Sequence, residues 1–373
     1  MSDSNCVGEW VRRSVACFAL MAAASVASAA GPAASAASKD PFVDPLDAPA
    51  LPQTRVAGQP AMAVARAGKR LVAAGMRGLI VMSDDEGKTW KQAAVPVRSD
   101  LLALSFPSAR QGWAVGHDGV VLHSADGGES WTRQIDGRIA ATSLPAYYKA
   151  RIARGDTSVQ PFLDQLTLNY RNGASLPLLS VWFRDEQHGL AVGPFGMAIA
   201  TEDGGNRWEP ILDRFDNPQF LHLNGVFGQG GEIYVAAEQG AVFRLDAASG
   251  KFVAVRTGYA GSFFGVTGDG KALYAFGLRG TIFKSTDHGA TWSTASSPLH
   301  GAVTGAAPVP SHEGFAFVSA SGEASFYDAR ENRFMPIAIP RTAMLTGVLV
   351  LPGDKLAITS LTGPVIASIR SIR

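Results

Sequence analysis

Short apolar runs broken by Gly, Asp and Ser recur from about residue 60 to the end of the chain. The stretch around residue 115 shows the pattern most cleanly. Residues 101–106, 111–115, 120–124 and 131–135 are alternating or wholly apolar, and turn formers bound each run. That is the signature of strands. They are called A to D here in chain order. Four strands joined by tight turns form an antiparallel meander, with the B–C turn and the D–A connection at one end and the C–D turn at the other. The same reading places inner strands A at 179–183 and 263–267.

The B–C turns end on Gly78, Gly119, Gly196, Gly240, Gly280, Gly322 and Gly363, and every step but one is 40 to 44 residues. A period of that length belongs to propeller blades of four strands. The expected fold is therefore all-β, a seven-bladed β-propeller of four-stranded blades over residues 51–373. The exceptional step, from 119 to 196, leaves an insertion of about 36 residues at roughly 137–177, between blades 2 and 3. Residues 146–154 and 161–170 within it are rich in helix formers and predict two short helices. The seventh repeat shows A at 346–351, B at 355–360 and C at 364–369, but no D. Residues 53–57 are expected to supply that outer strand and close the ring.

Between C and D an octet Ser-x-Asp-x-Gly-x-x-Trp occurs four times, once with Thr in place of Ser. Its copies are Ser83, Asp85, Gly87 and Trp90; Ser124, Asp126, Gly128 and Trp131; Thr201, Asp203, Gly205 and Trp208; and Ser285, Asp287, Gly289 and Trp292. Worn copies lie near Asp246, between the third and fourth octets, and near Asp328, after the fourth. The Asp accepts hydrogen bonds from the backbone of its own turn, and the Gly supplies positive φ. The Trp is expected to lie buried under the turn with its N–H bonded. The octet is identified as the Asp-box, or BNR repeat, and is expected to act as a structural staple.

Composition narrows the picture. With 46% hydrophobic and 17% charged residues the chain suits a large core rather than disorder. A formal net charge of +1 and the lack of long charge runs give no reason to expect nucleic acid or an anionic lipid surface. Residues 1–29 read as a cleaved signal: Arg12 and Arg13, an apolar run at 15–26, then Ala27-Ser28-Ala29. The run falls short of the roughly 20 residues that span a bilayer. The expected location is the periplasm, with no direct membrane insertion of the mature chain and residues 30–50 as a disordered linker. Cys6 and Cys17 leave with the signal, so thiol catalysis and disulfides are excluded from the mature chain. The seven histidines show no ligand spacing, and neither metal nor cofactor is expected.

The residues before the turn glycines are Arg77, Asp118, Phe195, Gln239, Arg279, Ser321 and Thr362, with His117 beside Asp118. They are expected to point into the mouth of the central funnel. The insertion reaches the same face and brings Tyr147, Tyr148, Arg151 and Phe162. Arginines bond carboxylates in pairs, which suits a peptide or acidic partner. The plain alternative is a solvated rim. A third reading is glycoside hydrolysis, since Asp-boxes also occur in sialidases. Glycosidase chemistry wants two placed carboxylates, and Glu238 and Asp118 are the candidates on this face. The sialidase entry motif is reduced here to Thr54-Arg55-Val56, and no catalytic residue is assigned.

Residues 112–131 (GWAVGHDGVVLHSADGGESW) and 189–208 resemble the photosystem II stability and assembly factor family of seven-bladed propellers. The resemblance covers about 60–370. It implies a non-enzymatic protein that binds a membrane subunit through arginines on one propeller face, and Arg77 and Arg279 occupy comparable turn positions. The insertion, with Pro161-Phe-Leu-Asp164, resembles the branch found in non-photosynthetic Gram-negative bacteria. Such relatives are commonly encoded beside exporters of the resistance-nodulation-division (RND) type, which implies an inner-membrane transporter as partner.

Overall fold

The computed structural model of the chain describes residues 42–340 and 344–369. The expected signal at 1–29 lies outside them. Seven inner strands, Ala61–Ala67, Leu101–Ser105, Ser180–Phe183, Leu223–Gln229, Phe263–Gly268, Val303–Val309 and Leu345–Leu351, stand side by side around one axis. The first packs on the last. Each continues outward through its own B, C and D strands as an antiparallel meander, giving six blades of four strands and one of three.

Crowding at the axis selects a small residue near the start of each inner strand. Ala63, Ala103, Ser180, Gly225, Gly265, Gly305 and Gly347 are all small. A Cβ on Gly225 would stand 2.7 Å from the Phe264 carbonyl of the next blade. Farther out, the B strands are apolar on both faces because each is covered by two neighbouring blades. Trp113 is 1% exposed and stacks on Phe183 of blade 3 at 3.6 Å between ring centroids.

The three-stranded sheet is blade 7: Leu345–Leu351, Lys355–Ser360 and Val365–Ser368. Residues 53–57 do not form its fourth strand, contrary to expectation. Their surroundings are those of a D–A connection. Pro60 accepts from Met76 N as Asp100 accepts from His117 N and Ser262 from Leu278 N. The Ala57 carbonyl sits where a Cβ on Gly363 would be, as the Val97 carbonyl does at Gly78. Elsewhere the connection takes six residues (257–262) or seven (296–302) before the next inner strand. Residues 53–60 are consumed by that crossing.

The linker expected over 30–50 is folded in its last part. Leu46 is 4% exposed within the core of blades 1 and 2, Pro45 accepts from Arg98 N, and Ala50 N donates to Val95 O. The insertion forms α1 (Gly137–Ala153) and α2 (Gln160–Asn169). The first begins nine residues earlier than the sequence suggested. Pro145 lies inside this helix, which is capped by Asp136, accepting from Arg138 N and Ile139 N.

Candidate protein-binding face

The Asp-boxes form one rim. In blade 2, Ser124 Oγ donates to Asp126 Oδ1 at 2.8 Å and accepts from Gly128 N at 2.8 Å. Asp126 also accepts from Ser130 N, and Trp131 Nε1 donates to Gly128 O at 3.0 Å. The same bonds recur around Asp85 and Asp287. In blade 3 the Trp208 N–H turns instead to Gln134 Oε1, because that side chain reaches across from blade 2 and packs on Gly205. Trp131 and Trp208 are buried at 4% and 6% exposure. Trp90 and Trp292 are only half-buried, which corrects the expectation for those two. The turn bonds hold the Asp85 carboxyl down at about 2, the Thr89 hydroxyl contributing most.

The opposite face carries the B–C turns and the insertion. Five residues preceding the turn glycines, Arg77, Asp118, Phe195, Gln239 and Arg279, have left-handed backbone, with φ from 54° to 58°. The expectation that they enter the funnel mouth is corrected: the turns join the second and third strands from the axis and lie over the following D–A connection. Gly78 abuts the Val97 carbonyl, and Gly280 the Leu299 carbonyl. Arg77, Phe195, Gln239, Arg279, Ser321, Thr362 and His117 are exposed. Asp118 is half-buried and accepts from Ser99 Oγ at 2.6 Å. Glu238 accepts from His222 N at 2.8 Å. No hydrogen bond or ion pair links Glu238 to Asp118 among the described residues.

The insertion packs on this same face. Gly137 fits against Gly119, and Leu178 N donates to Gly116 O where the chain returns to blade 3. Of its expected contact residues, Tyr148 is fully buried and donates to Asp213 Oδ1, while Arg151 bridges Asp156 and Asp213. Phe162 packs between Tyr148 and Phe220, and Tyr147 is half-buried beside Tyr148. These four hold the insertion down because the helices have no other core to fold around.

The insertion exposes Ile139 (48%) at the start of α1 and Leu168 (53%) at the end of α2. The adjoining Asn169 donates to the carbonyl of Phe195, itself 47% exposed, and the Phe195 ring meets His222 edge-on at 4.7 Å.

Sequence reasoning missed a second group. In six blades the inner strand bulges at its second residue, beside the B–C turn. Asn224, Thr304 and Thr346 at that position bond the next inner strand, accepted by Phe263 O, Leu345 O and Ala61 O. Met62, Leu102 and Phe264 have no such bond to make, and with Leu179 of blade 3 they leave apolar surface around the axis. The small residue that follows was the available signal.

On the Asp-box rim Arg70 pairs with Asp84 and Glu129 and Lys355 with Glu86, while Lys69, Lys88 and Arg110 make no ion pair among the described residues. On the upper face the carboxylates are engaged by Ser99, His222, His300 and Arg138. Exposed arginines there, among them Arg55, Arg77, Arg256 and Arg279, make no ion pair among the described residues. The described residues hold no cluster of three His, Cys, Asp or Glu suited to a metal ion.

Comparison with known proteins adds to this geometry. The family model described as photosynthesis system II assembly factor YCF48 matches residues 62–145 and 163–333, passing over the middle of the insertion. The photosystem II assembly lipoprotein Ycf48 of Synechococcus sp. (strain CC9902) is 24% identical over 242 residues, 59% of this chain and 70% of its own length. Among solved structures, YCF48 bound to a D1 peptide superposes with a TM-score of 0.61 at 14% identity, covering 86% of this chain and 99% of that one. YCF48 from Cyanidioschyzon merolae gives 0.62 at 14%, with 86% and 98% covered.

Proposed function

We propose that this chain, which belongs to the photosynthesis system II assembly factor YCF48 family, is a non-enzymatic assembly factor that holds a segment of a membrane protein on its upper face. The observation that carries the reading is the unpaired arginine set, Arg77 and Arg279 above all, on a face whose carboxylates are already engaged. A field of one sign at a surface favours a partner of the other. The Phe195, Leu168 and His222 cluster supplies an apolar anchor beside it, the combination that protein interfaces use. A structure of similar fold is seen with a D1 peptide, which supports a peptide segment as the ligand.

The location we propose is the periplasm, on the strength of the signal-like residues 1–29. The partner we propose is an RND-type exporter, on the strength of the insertion and the branch it resembles. The experiment is affinity capture from envelope membranes, with the wild type compared with an Arg77→Glu/Arg279→Glu double variant. The transporter should be enriched by the wild type and lost from the variant. Equal recovery from both rejects this face, and recovery of some other membrane protein rejects the exporter.

A further inference from the structure

The cleft between blades 4 and 5 and the cleft between blades 5 and 6 both open on the Asp-box side of the disc. A tyrosine of the second strand lines each, six residues before the turn glycine: Tyr234 before Gly240, and Tyr274 before Gly280. In the strand register each tyrosine stands opposite a cation of the third strand, Arg244 or Lys284.

In the first cleft the tyrosine and the cation both find acceptors. The Tyr234 hydroxyl proton is shared between Glu232 Oε2 at 2.9 Å and the carbonyl of His288, in the Asp-box of blade 5, at 3.1 Å. The same carbonyl accepts from Arg244 at 3.2 Å.

In the second cleft those acceptors are gone. Ala272 stands where Glu232 would, and the sixth repeat has lost its Asp-box, with Tyr327 and Ala329 in the places of Ser285 and Asp287. The Tyr274 hydroxyl is buried and meets no hydrogen-bond partner among the described residues. The neighbouring Tyr327 hydroxyl donates elsewhere, to Asn332 Oδ1 at 2.6 Å. Burial, with Tyr327 beside it, raises the Tyr274 phenol above its ordinary range, so it stays a donor. Lys284 Nζ lies 5.9 and 5.7 Å from the ring centroids of Tyr274 and Tyr327 and makes no ion pair among the described residues. Two donors stand side by side with nothing to receive them, which folded proteins avoid.

The space beside them is a cleft of about 520 Å³, a size that suits small ligands. Ala272, Pro308, Val309 and Phe315 give it apolar walls. Lys271 and Arg330 are exposed at its mouth and share Glu313 at 4.0 and 3.9 Å, with Asp269 also in the lining. Three cations against two carboxylates leave one positive charge, which a monoanion balances and a dianion exceeds.

We propose that the cleft between blades 5 and 6 binds a small organic acid, whose single carboxylate accepts from Lys284 and Tyr274 and whose apolar body lies against the walls. The site is on the face opposite the arginine set and does not rest on the assembly-factor reading.

The probe is 3-phenylpropionate, with 3-phenylpropan-1-ol as its uncharged match and inorganic phosphate as an anion without an apolar body. Titration calorimetry on the full chain should show saturable binding of the acid, at least about tenfold tighter than of either control. Lys284→Met keeps the length and removes the charge. It should weaken the acid at least about tenfold, and Tyr274→Phe should weaken it about threefold. Melting temperature gives a readout without any ligand. Tyr234→Phe should lower it, because bonds to Glu232 and the His288 carbonyl are lost, whereas Tyr274→Phe should not, because its hydroxyl has no bond to lose. The proposal is overturned if the acid does not bind the wild type, if the alcohol or phosphate binds as tightly, or if Lys284→Met binds like the wild type. It is also overturned if Tyr274→Phe lowers the melting temperature as far as Tyr234→Phe does, since the hydroxyl then already has its partner within the chain.

Discussion

The Tyr148 hydroxyl donates to Asp213 Oδ1 at 2.7 Å and ties α1 to the connection between blades 3 and 4. Arg151 reaches the other carboxylate oxygen at 2.6 Å. Burial, with the Asp213 charge added, pushes the Tyr148 phenol well above its ordinary range, so it stays a donor.

Asp213→Ala should therefore destabilise the protein by about 1–3 kcal/mol, because it strands a buried hydroxyl and takes a partner from Arg151. Tyr148→Phe should cost less, since Asp213 keeps Arg151. Urea unfolding checks the order, and an equal loss from both would show that the carboxylate matters only to the tyrosine.

The turn glycines predict a contrast of their own. Gly280 has φ +70° and the Leu299 carbonyl 1.8 Å from where a Cβ would go. Gly230 has φ +60° and open space. Gly230→Ala should cost about 1 kcal/mol for the backbone alone. Gly280→Ala should cost a further 1–3 kcal/mol, because backbone must move to relieve the clash. Thermal unfolding of the two single variants measures the difference.

The Asp-boxes set the acid limit. Asp85 is held at about 2 against an ordinary 3.8, and Asp287 and Asp126 are also lowered by the bonds they accept, in Asp126 against the opposing effect of burial. A carboxyl with a lower pKa folded than unfolded binds fewer protons when folded. Its contribution is complete above about pH 4 and is lost as the pH falls toward 2. Melting temperature should fall over that window, and Asp85→Asn/Asp287→Asn should flatten the fall while lowering stability at pH 7. An unchanged slope in the double variant would place the acid sensitivity elsewhere.

The repeat was legible because each blade must solve the same two turns. Gly is needed where φ is positive and a backbone carbonyl presses close, as at Gly78 and Gly280, and the Ser-x-Asp-x-Gly-x-x-Trp bonds are local. These constraints leave identical marks in the sequence. Closure was not legible, since residues 53–57 have strand-like composition and only the space taken by the D–A connection decides their path. The insertion was half legible. Its helical character shows in its composition, but Tyr148, Arg151 and Phe162 are aromatic and charged in a way that suits an interface equally well as an anchor. Only Asp213 and Phe220, some 60 residues away in sequence, decide between the two.

That assignment changes how the upper face should be probed. Deleting residues 139–175 would strip Leu144, Tyr148, Leu163 and Leu166 from a core they share with Trp113, Val181 and Trp208, so loss of capture would report misfolding. Leu168 and Phe195 are exposed and carry no core packing of that kind. Leu168→Ser/Phe195→Ser should leave stability within about 0.5 kcal/mol, as surface changes away from packed sites do. Capture of the membrane partner should drop at least about tenfold if this cluster is the anchor, since each anchor side chain is worth upward of roughly 1 kcal/mol. The arginine contribution should be screened by salt, whereas the contribution of these two residues should persist. Capture at low and high salt from the Arg77→Glu/Arg279→Glu and the Leu168→Ser/Phe195→Ser proteins therefore separates the two. Undiminished capture by the second variant at both salt concentrations would remove the apolar cluster from the interface and leave the arginines alone.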